Sequence, residues 1–328
     1  MRVLIIGGAG LLGVRLAPKL TAVGHEVALC DNLTGSIQYR LPKEHRLFTP
    51  NAIDIISMRS VFATFKPEAV FMAVSHSYPK DVIYNFFDDT KLVLDSANVL
   101  SCLLTEEVKH VYFCSSSEIY GGPQTSRPLK ETRKVVRSAT LHGTSKLMAE
   151  QLLGFRCNEL SIPFTVLRIF DMYGPRIIFS PTTGVLSFIT EAFLTGETSK
   201  IALVGATCSR DFIHVNDVVK ATMGIVDSGF TGVVNIGTGK GHTLRGISRA
   251  LRKLIPSAAL PAEVSGSTSS FSSVAHTGRL AEVIGGWKPE HNVLDDLPQL
   301  VEHRKEELNL KNNTDPRKKY DMLRGALG

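Results

Sequence analysis

"VLIIGGAGLLG", residues 3–13, decides how this chain is read. Val3–Ile6 is a short unbroken apolar run ending in glycines, the pattern of a strand buried on both faces. It leads into "LLGVRLAPKLTAVG", whose apolar residues recur at helical spacing and which Gly24 can stop. "EVALCDN" (26–32) is a second buried strand. Strand, helix, strand make a β-α-β unit with parallel strands and a right-handed crossover. Glycines at 7, 10 and 13 fall where the chain leaves the first strand and enters the helix. There they permit a tight turn, and backbone N–H groups at the helix N-terminus can meet a pyrophosphate. Gly7, Gly10, Leu11, Leu12 and Gly13 are therefore the candidate dinucleotide loop, a ligand-free glycine turn being the alternative.

The surrounding chain supports the dinucleotide reading. Asp31 ends the second strand, beside Asn32, where its carboxylate can accept from adenosine ribose hydroxyls. A carboxylate there repels a 2′-phosphate and favours NAD over NADP. Asp31 could instead cap the turn with Asn32. Asp54 is a candidate for the adenine amino group, or caps a helix at 55–65. "AVFMAV" (69–74) reads as a strand, and Ala73 near its end joins the cofactor set. Helix at 90–104, strand at 110–116, helix at 144–160 and strand "FTVLRIF" continue the alternation. Such alternation predicts an α/β fold with an open, doubly wound parallel sheet. A smaller lobe is expected mainly beyond residue 175, with "KIALVG" and "VVNIG" as strands, helices near 216–228 and in "TLRGISRALRKLI", and some segments returning to the sheet. The predicted division is 1–175, 176–310, and a polar basic tail at 311–328.

The bulk numbers exclude several classes. Hydrophobic residues make up 43% and charged residues 21%, as in an ordinary globular chain. The net charge of +6 is spread out, with one short cluster at Arg317-Lys318-Lys319, so neither nucleic acid nor a membrane is expected as partner. Five cysteines (30, 102, 114, 157 and 208), an odd number with no CxxC, argue against disulfides or a zinc site and for a reducing compartment. No metal is expected. With no signal-peptide layout and no apolar run near ~18 residues, a cytoplasmic location is expected.

Several motifs in order carry a more specific resemblance: "GGAGLLG", "DNL" (31–33), "CSSSEIYGG" (114–122), "GTSK" (143–146), "LRIFDMYGPR" (167–176), "RDFIHVNDV" (210–218), "NIGTG" (235–239) and "GWKP" (286–289). Over about residues 2–300 the chain resembles the nucleotide-sugar epimerases and dehydratases of the extended short-chain dehydrogenase/reductase family. The resemblance implies an NAD-binding Rossmann domain and a C-terminal lobe that grips a nucleoside diphosphate sugar. It implies transient oxidation at the sugar C4, with NAD recycled in each turnover. Ser116 matches the residue that hydrogen-bonds the 4-hydroxyl. Ser117 and Glu118 stand where the dehydratases place an acid pair, in a version closer to the uronate decarboxylases. Lys146 matches the lysine that holds the nicotinamide ribose. Arg210 resembles a diphosphate contact, with an ion pair to Asp211 or Asp217 as the alternative. The resemblance also implies a homodimer, the helices at 90–104 and 144–160 pairing across a two-fold axis.

Three residues depart from that pattern. His142 stands in "LHGTSK" where the family has its tyrosine base, four residues before Lys146. Asp171 replaces the usual Asn near nicotinamide and substrate, and His276 stands where Asp is common. An anionic Asp171 would be repelled by a diphosphate unless protonated or differently placed. An imidazole titrates near about 6.5, so it needs no depression to be a base at neutral pH. Its tip lies about 2 Å nearer its own Cα than a tyrosine hydroxyl, while a hydrogen bond tolerates only about 2.6–3.2 Å. His142 would therefore act through a water or on a deeper-seated sugar. The other readings are that Glu118 is the main base, or that the chain binds a dinucleotide without catalysis. His76 could also approach the site, or belong to a surface loop. The expected function is NAD-dependent modification of a nucleoside diphosphate sugar, dehydratase- or decarboxylase-like, with 4-epimerisation as the alternative.

Overall fold

The computed structural model describes residues 1–34, 44–75, 86–121, 127–135, 138, 140–175, 184–264 and 272–312. His76, Pro123, Arg176 and the Arg317-Lys318-Lys319 cluster lie outside the described residues. In chain order the first half runs β1 (Arg2–Ile6), α1 (Gly13–Ala22), β2 (Glu26–Cys30), β3 (Arg46–Phe48), α2 (Ile55–Phe65), β4 (Ala69–Met72), α3 (Phe86–Leu103), β5 (His110–Ser116), a 3₁₀ turn (Ser117–Tyr120), α4 (Leu141–Glu159) and β6 (Phe164–Ile169). It continues with β7 (Asp171–Tyr173), α5 (Val185–Thr195), β8 (Ala202–Val204), β9 (Ser209–Arg210), β10 (Phe212–His214), α6 (Val215–Ser228), β11 (Gly232–Ile236), β12 (His242–Thr243), α7 (Leu244–Leu254), β13 (Ala262–Val264), α8 (Gly278–Val283) and α9 (Val293–Asn312).

Among the described residues seven strands form one sheet, in the order β11-β6-β5-β4-β1-β2-β3, and every pairing is parallel. Strand direction explains the apolar runs, because successive side chains face opposite layers. Val3 and Ile5 pack with Leu16 and Leu20 of α1 and Val218 and Ile225 of α6. Leu4 and Ile6 pack on the other face with Met58 of α2, Leu100 of α3 and Leu153 of α4. Helices on both faces make this a doubly wound Rossmann fold. The order reverses at β1, whose neighbours are β2 on one side and β4 on the other. A crevice opens beyond the carboxyl ends at such a point, and ligands of open α/β sheets bind there.

A third core joins Ile189 and Phe193 of α5, Ile247 and Leu251 of α7, Leu297 and Val301 of α9, and Tyr173 and Phe212. "KIALVG" contributes only β8, which pairs with β13 in a separate two-stranded sheet, whereas "VVNIG" contributes β11 to the main one. α4 begins at Leu141, three residues earlier than its apolar periodicity indicates, because Thr140 caps it. α9 continues to Asn312, into the stretch expected to be tail, with Val293, Leu297 and Val301 seated in the third core. Among the described residues no helix is long and apolar enough to cross a membrane.

Candidate active site

The glycine loop sits on the crevice. Gly7 adopts φ +81°, a left-handed conformation that favours glycine, and its N–H and that of Gly8 both donate to the Cys30 carbonyl. A Cβ on Gly7 would lie 2.7 Å from the Ala73 carbonyl oxygen, so the β1 and β4 ends close on each other. A Cβ on Gly13 would lie 2.4 Å from the Gly8 oxygen, which is how α1 docks so tightly on the loop. Among the described residues, a Cβ on Gly10 would meet only the Gly7 oxygen, at 3.2 Å. No side chain caps the N-terminus of α1, and its first turn has no acidic residue. These features suit a dinucleotide pyrophosphate.

Asp31 braces this loop from the end of β2. Its Oδ2 accepts from the Ala9 N–H at 3.0 Å and its Oδ1 from the Leu33 N–H at 2.8 Å. It therefore holds both the glycine loop and its own turn. Asn32 Oδ1 accepts from the Thr34 N–H at 3.1 Å. Asp54 is the N-cap of α2, accepting from the Ile56 N–H and the Ser57 hydroxyl, which hold its carboxyl below the usual range. Of the two sequence readings for Asp54, the cap is the one visible in the fold.

On the other side of the crevice, α4 delivers His142 and Lys146 one turn apart, on the same face. Lys146 is buried, and its Nζ donates to the carbonyls of Val74 and Cys114, each at 2.9 Å. It thereby joins the carboxyl ends of β4 and β5. His142 is half-buried, in the first turn of α4, and its carbonyl accepts from the Ser145 hydroxyl at 2.8 Å. Gly143 is small for a packing reason: a Cβ there would lie 2.6 Å from the Glu118 carbonyl oxygen.

Ser116 ends β5 and caps the 3₁₀ turn, its Oγ accepting from the Glu118 N–H at 3.1 Å. Ser117 is buried, and Glu118 Oε2 accepts from the Thr140 hydroxyl. Behind them lies a polar network that the sequence reading missed. Ser115 donates to Glu150, which is gripped at two points by Arg168 (2.7 and 3.1 Å). Arg168 also donates to the Tyr120 hydroxyl, which donates in turn to Asn235 of β11. Glu150 lies four residues beyond Lys146 on α4, so an acidic residue on the buried face was the available signal.

Asp171 and Arg210 pair with each other, Nε to Oδ2 at 3.0 Å and Nη2 to Oδ1 at 2.9 Å. Of the alternatives for an ion-pair partner of Arg210, neither Asp211 nor Asp217 is the one found; Asp171 takes that place. Asp211 accepts instead from the N–H groups of Thr238, Gly239 and Ala275 and from the Thr238 hydroxyl, and Asp217 from those of Glu290 and His291. Both pin loops, and among the described residues neither makes an ion pair with Arg210. Burial pushes the Asp171 carboxyl up against the pull of Arg210, and the negative charge of Glu118 adds to the rise. Asp171 in turn, with help from Glu118, holds the Arg210 guanidinium in its charged form. Glu118, Asp171 and Arg210 therefore share one electrostatic neighbourhood.

A family model described as "NAD dependent epimerase/dehydratase family" matches residues 3–237. The chain belongs to that family. NAD is its cofactor, in keeping with the glycine loop and the uncapped α1. The UDP-glucose 4-epimerase of Yersinia enterocolitica is 28% identical over 290 residues, covering 78% of this chain and 84% of its own. The UDP-N-acetyl-alpha-D-glucosaminuronate decarboxylase of Bacillus cytotoxicus is 29% identical over 273 residues, covering 77% and 80%. Among solved structures, the UDP-glucose 4-epimerase of Thermotoga maritima with UDP-glucose superposes with a TM-score of 0.81 at 27% identity, covering 94% of this chain and 100% of that one.

Within this family fold, His276 has a local role: its backbone N–H donates to the Leu129 carbonyl and its Nδ1 accepts from the Gly278 N–H at 3.3 Å. Another group gathers where the lobe meets the sheet. His214 stacks on His291 at 3.8 Å, His291 Nδ1 lies 3.1 Å from Asp296, and Tyr173 donates to Asp296 at 2.7 Å. Among the described residues, His214, His291 and Asp296 bring three possible metal ligands within 4.8 Å. His214 Nδ1, however, accepts from the Asn216 N–H as the N-cap of α6, so a neutral ring carries its hydrogen on Nε2. That pattern is structural, and burial lowers His214 to about 4, keeping it neutral.

Proposed function

We propose that this protein modifies a nucleoside diphosphate sugar through transient oxidation at C4, along a dehydratase- or decarboxylase-like course with a non-standard base. One observation carries the reading. The Glu118 carboxylate stands just past the carboxyl end of β5, hydrogen-bonded to the cap of the helix that bears His142 and Lys146, and close enough to Asp171 and Arg210 to perturb both. When bound, NAD supplies a hydride acceptor that can return the hydride within the turnover.

On this reading the loop at Gly7, Gly10, Leu11, Leu12 and Gly13 holds the pyrophosphate. Asp31 meets the adenosine ribose and Lys146 the nicotinamide ribose. Ser116 hydrogen-bonds the sugar 4-hydroxyl. His142 takes its proton, directly or through water, and Glu118 is the acid/base for the neighbouring position. Arg210 meets the diphosphate and Asp171 tempers its charge. The lobe beyond residue 175 closes over the sugar. A 4-epimerase is the second reading, favoured by the Thermotoga neighbour and by the UDP-glucose 4-epimerase of Thermus thermophilus with NAD, at a TM-score of 0.80 and 27% identity.

A homodimer through α3 and α4 belongs to the same proposal. Leu141, Met148 and Phe155 are exposed on α4 at seven-residue spacing, a stripe along one side of the helix that suits a partner helix.

The test is incubation with NAD and a panel of nucleotide sugars, following product mass and 340 nm absorbance. The expected result is a product of lower mass from one sugar, lost in Glu118→Gln. A product of unchanged mass moves 4-epimerisation to first place. No product from any sugar, with NAD still bound, leaves a dinucleotide-binding protein.

A further inference from the structure

The Glu118 backbone is held at two points: its N–H donates to Ser116 Oγ at 3.1 Å, and its carbonyl accepts from Ser138 Oγ at 2.9 Å. Neither bond sets where the carboxylate points. Thr140 does. It caps α4 in an extended conformation, and its Oγ accepts from the Gly143 N–H at 2.9 Å. A hydroxyl has one proton to give, and that proton goes to Glu118 Oε2. One side chain thus joins the first turn of the helix carrying His142 to the carboxylate. Among the described residues no hydrogen bond is made to Oε1, and the charges of the Asp171–Arg210 pair respond to Glu118. The choice of residue fits: Asp, Asn or Ser would cap the helix as well or better, but Thr is stiffer at χ1 and aims its hydroxyl more narrowly.

We infer that Thr140 is a positioning residue, which fixes the Glu118 carboxylate relative to the His142 turn. The inference rests on the reading of Glu118 as an acid/base.

Three variants separate positioning from capping. Thr140→Val loses both hydrogen bonds. Thr140→Ser keeps both. Thr140→Asp still accepts from the Gly143 N–H but has no proton for Glu118. A misplacement of about 1 Å costs roughly 100-fold, so kcat is expected to fall roughly 10- to 100-fold in Val and Asp, with KM nearly unchanged. Thr140→Ser is expected to rescue it. An Asp variant as active as wild type would mean that Thr140 only caps, and would overturn the proposal. A crystal structure of Thr140→Val supplies a readout that does not need the substrate. A displaced Glu118 carboxylate supports the proposal and an unmoved one overturns it. A wild type silent with every nucleotide sugar counts against the functional reading alone, since the crystal structure still decides this one.

Discussion

Arg210 and Asp171, 39 residues apart, meet as a two-point ion pair across the start of the lobe. Asp171 opens β7, just past the end of β6, and Arg210 closes β9. The carboxylate that looked repulsive to a diphosphate is thus offset by the guanidinium expected to bind one. Any anion that uses Arg210 must share it with Asp171. Asp171→Asn should release the fork and raise the affinity for UDP about tenfold, the scale of one charge-assisted hydrogen bond. Isothermal titration checks this. Weaker binding would mean that the pair's role is structural.

Gly10 and Gly13 predict opposite failures. A Cβ at Gly13 strikes the Gly8 backbone, which cannot yield cheaply, so Gly13→Ala should destabilise the fold by about 1–3 kcal/mol. At Gly10 a methyl would meet, among the described residues, only the Gly7 oxygen. Gly10→Ala should melt close to wild type and yet bind NAD at least tenfold more weakly. Thermal melts with and without NAD distinguish the two. Equal stability losses would mean that Gly10 serves the turn alone.

Stability should fall on mild acidification. Burial lowers His110 and His214 to about 4, from about 6.5 in an unfolded chain. As pH drops below 6.5 the unfolded chain takes up protons that the folded chain refuses until about pH 4. The stabilisation is whole above 6.5 and is lost between those values, on the order of 3 kcal/mol for each histidine. His214→Asn keeps a good N-cap for α6 and removes one of the two titrations. Urea midpoints at about pH 7 and about pH 5 should therefore differ less in the variant than in wild type. Equal differences would count against His214 as a source.

The α4 stripe predicts association. Met148→Lys with Phe155→Lys should give monomers by light scattering and leave the thermal midpoint of the monomer near that of wild type, since both side chains are already exposed. An unchanged mass would reject α4 as the contact.

The sheet was readable from the sequence because its signals are local. Val3–Ile6 is apolar on both faces, and the glycine at 13 declares where α1 begins. Asp54 shows the limit of that kind of reading: one carboxylate at one position fits a cap and a ligand contact equally well until α2 is seen beneath it. Thr140 was accessible to the capping rule, standing three residues before Gly143, yet the apolar periodicity of α4 starts only at residue 144. The Asp171–Arg210 pair had no local signal, since only tertiary folding brings β7 beside β9. Likewise the lobe strands of two or three residues are too short for alternation to register.

β11 joins β6 in register from Gly232 opposite Thr165 to Ile236 opposite Ile169. During synthesis, β6 therefore emerges with one edge open, and it stays open while the lobe segments up to residue 231 are made. The Tyr120 hydroxyl, which accepts from Arg168, waits for Asn235 over the same interval. A parallel partner cannot arrive by a hairpin, so nothing nearer in the chain can close that edge early. A nascent chain halted near residue 175 would present an unpaired strand to its neighbours on the polysome, the condition that favours aggregation. Slow translation should be least tolerated between the emergence of β6 and that of β11.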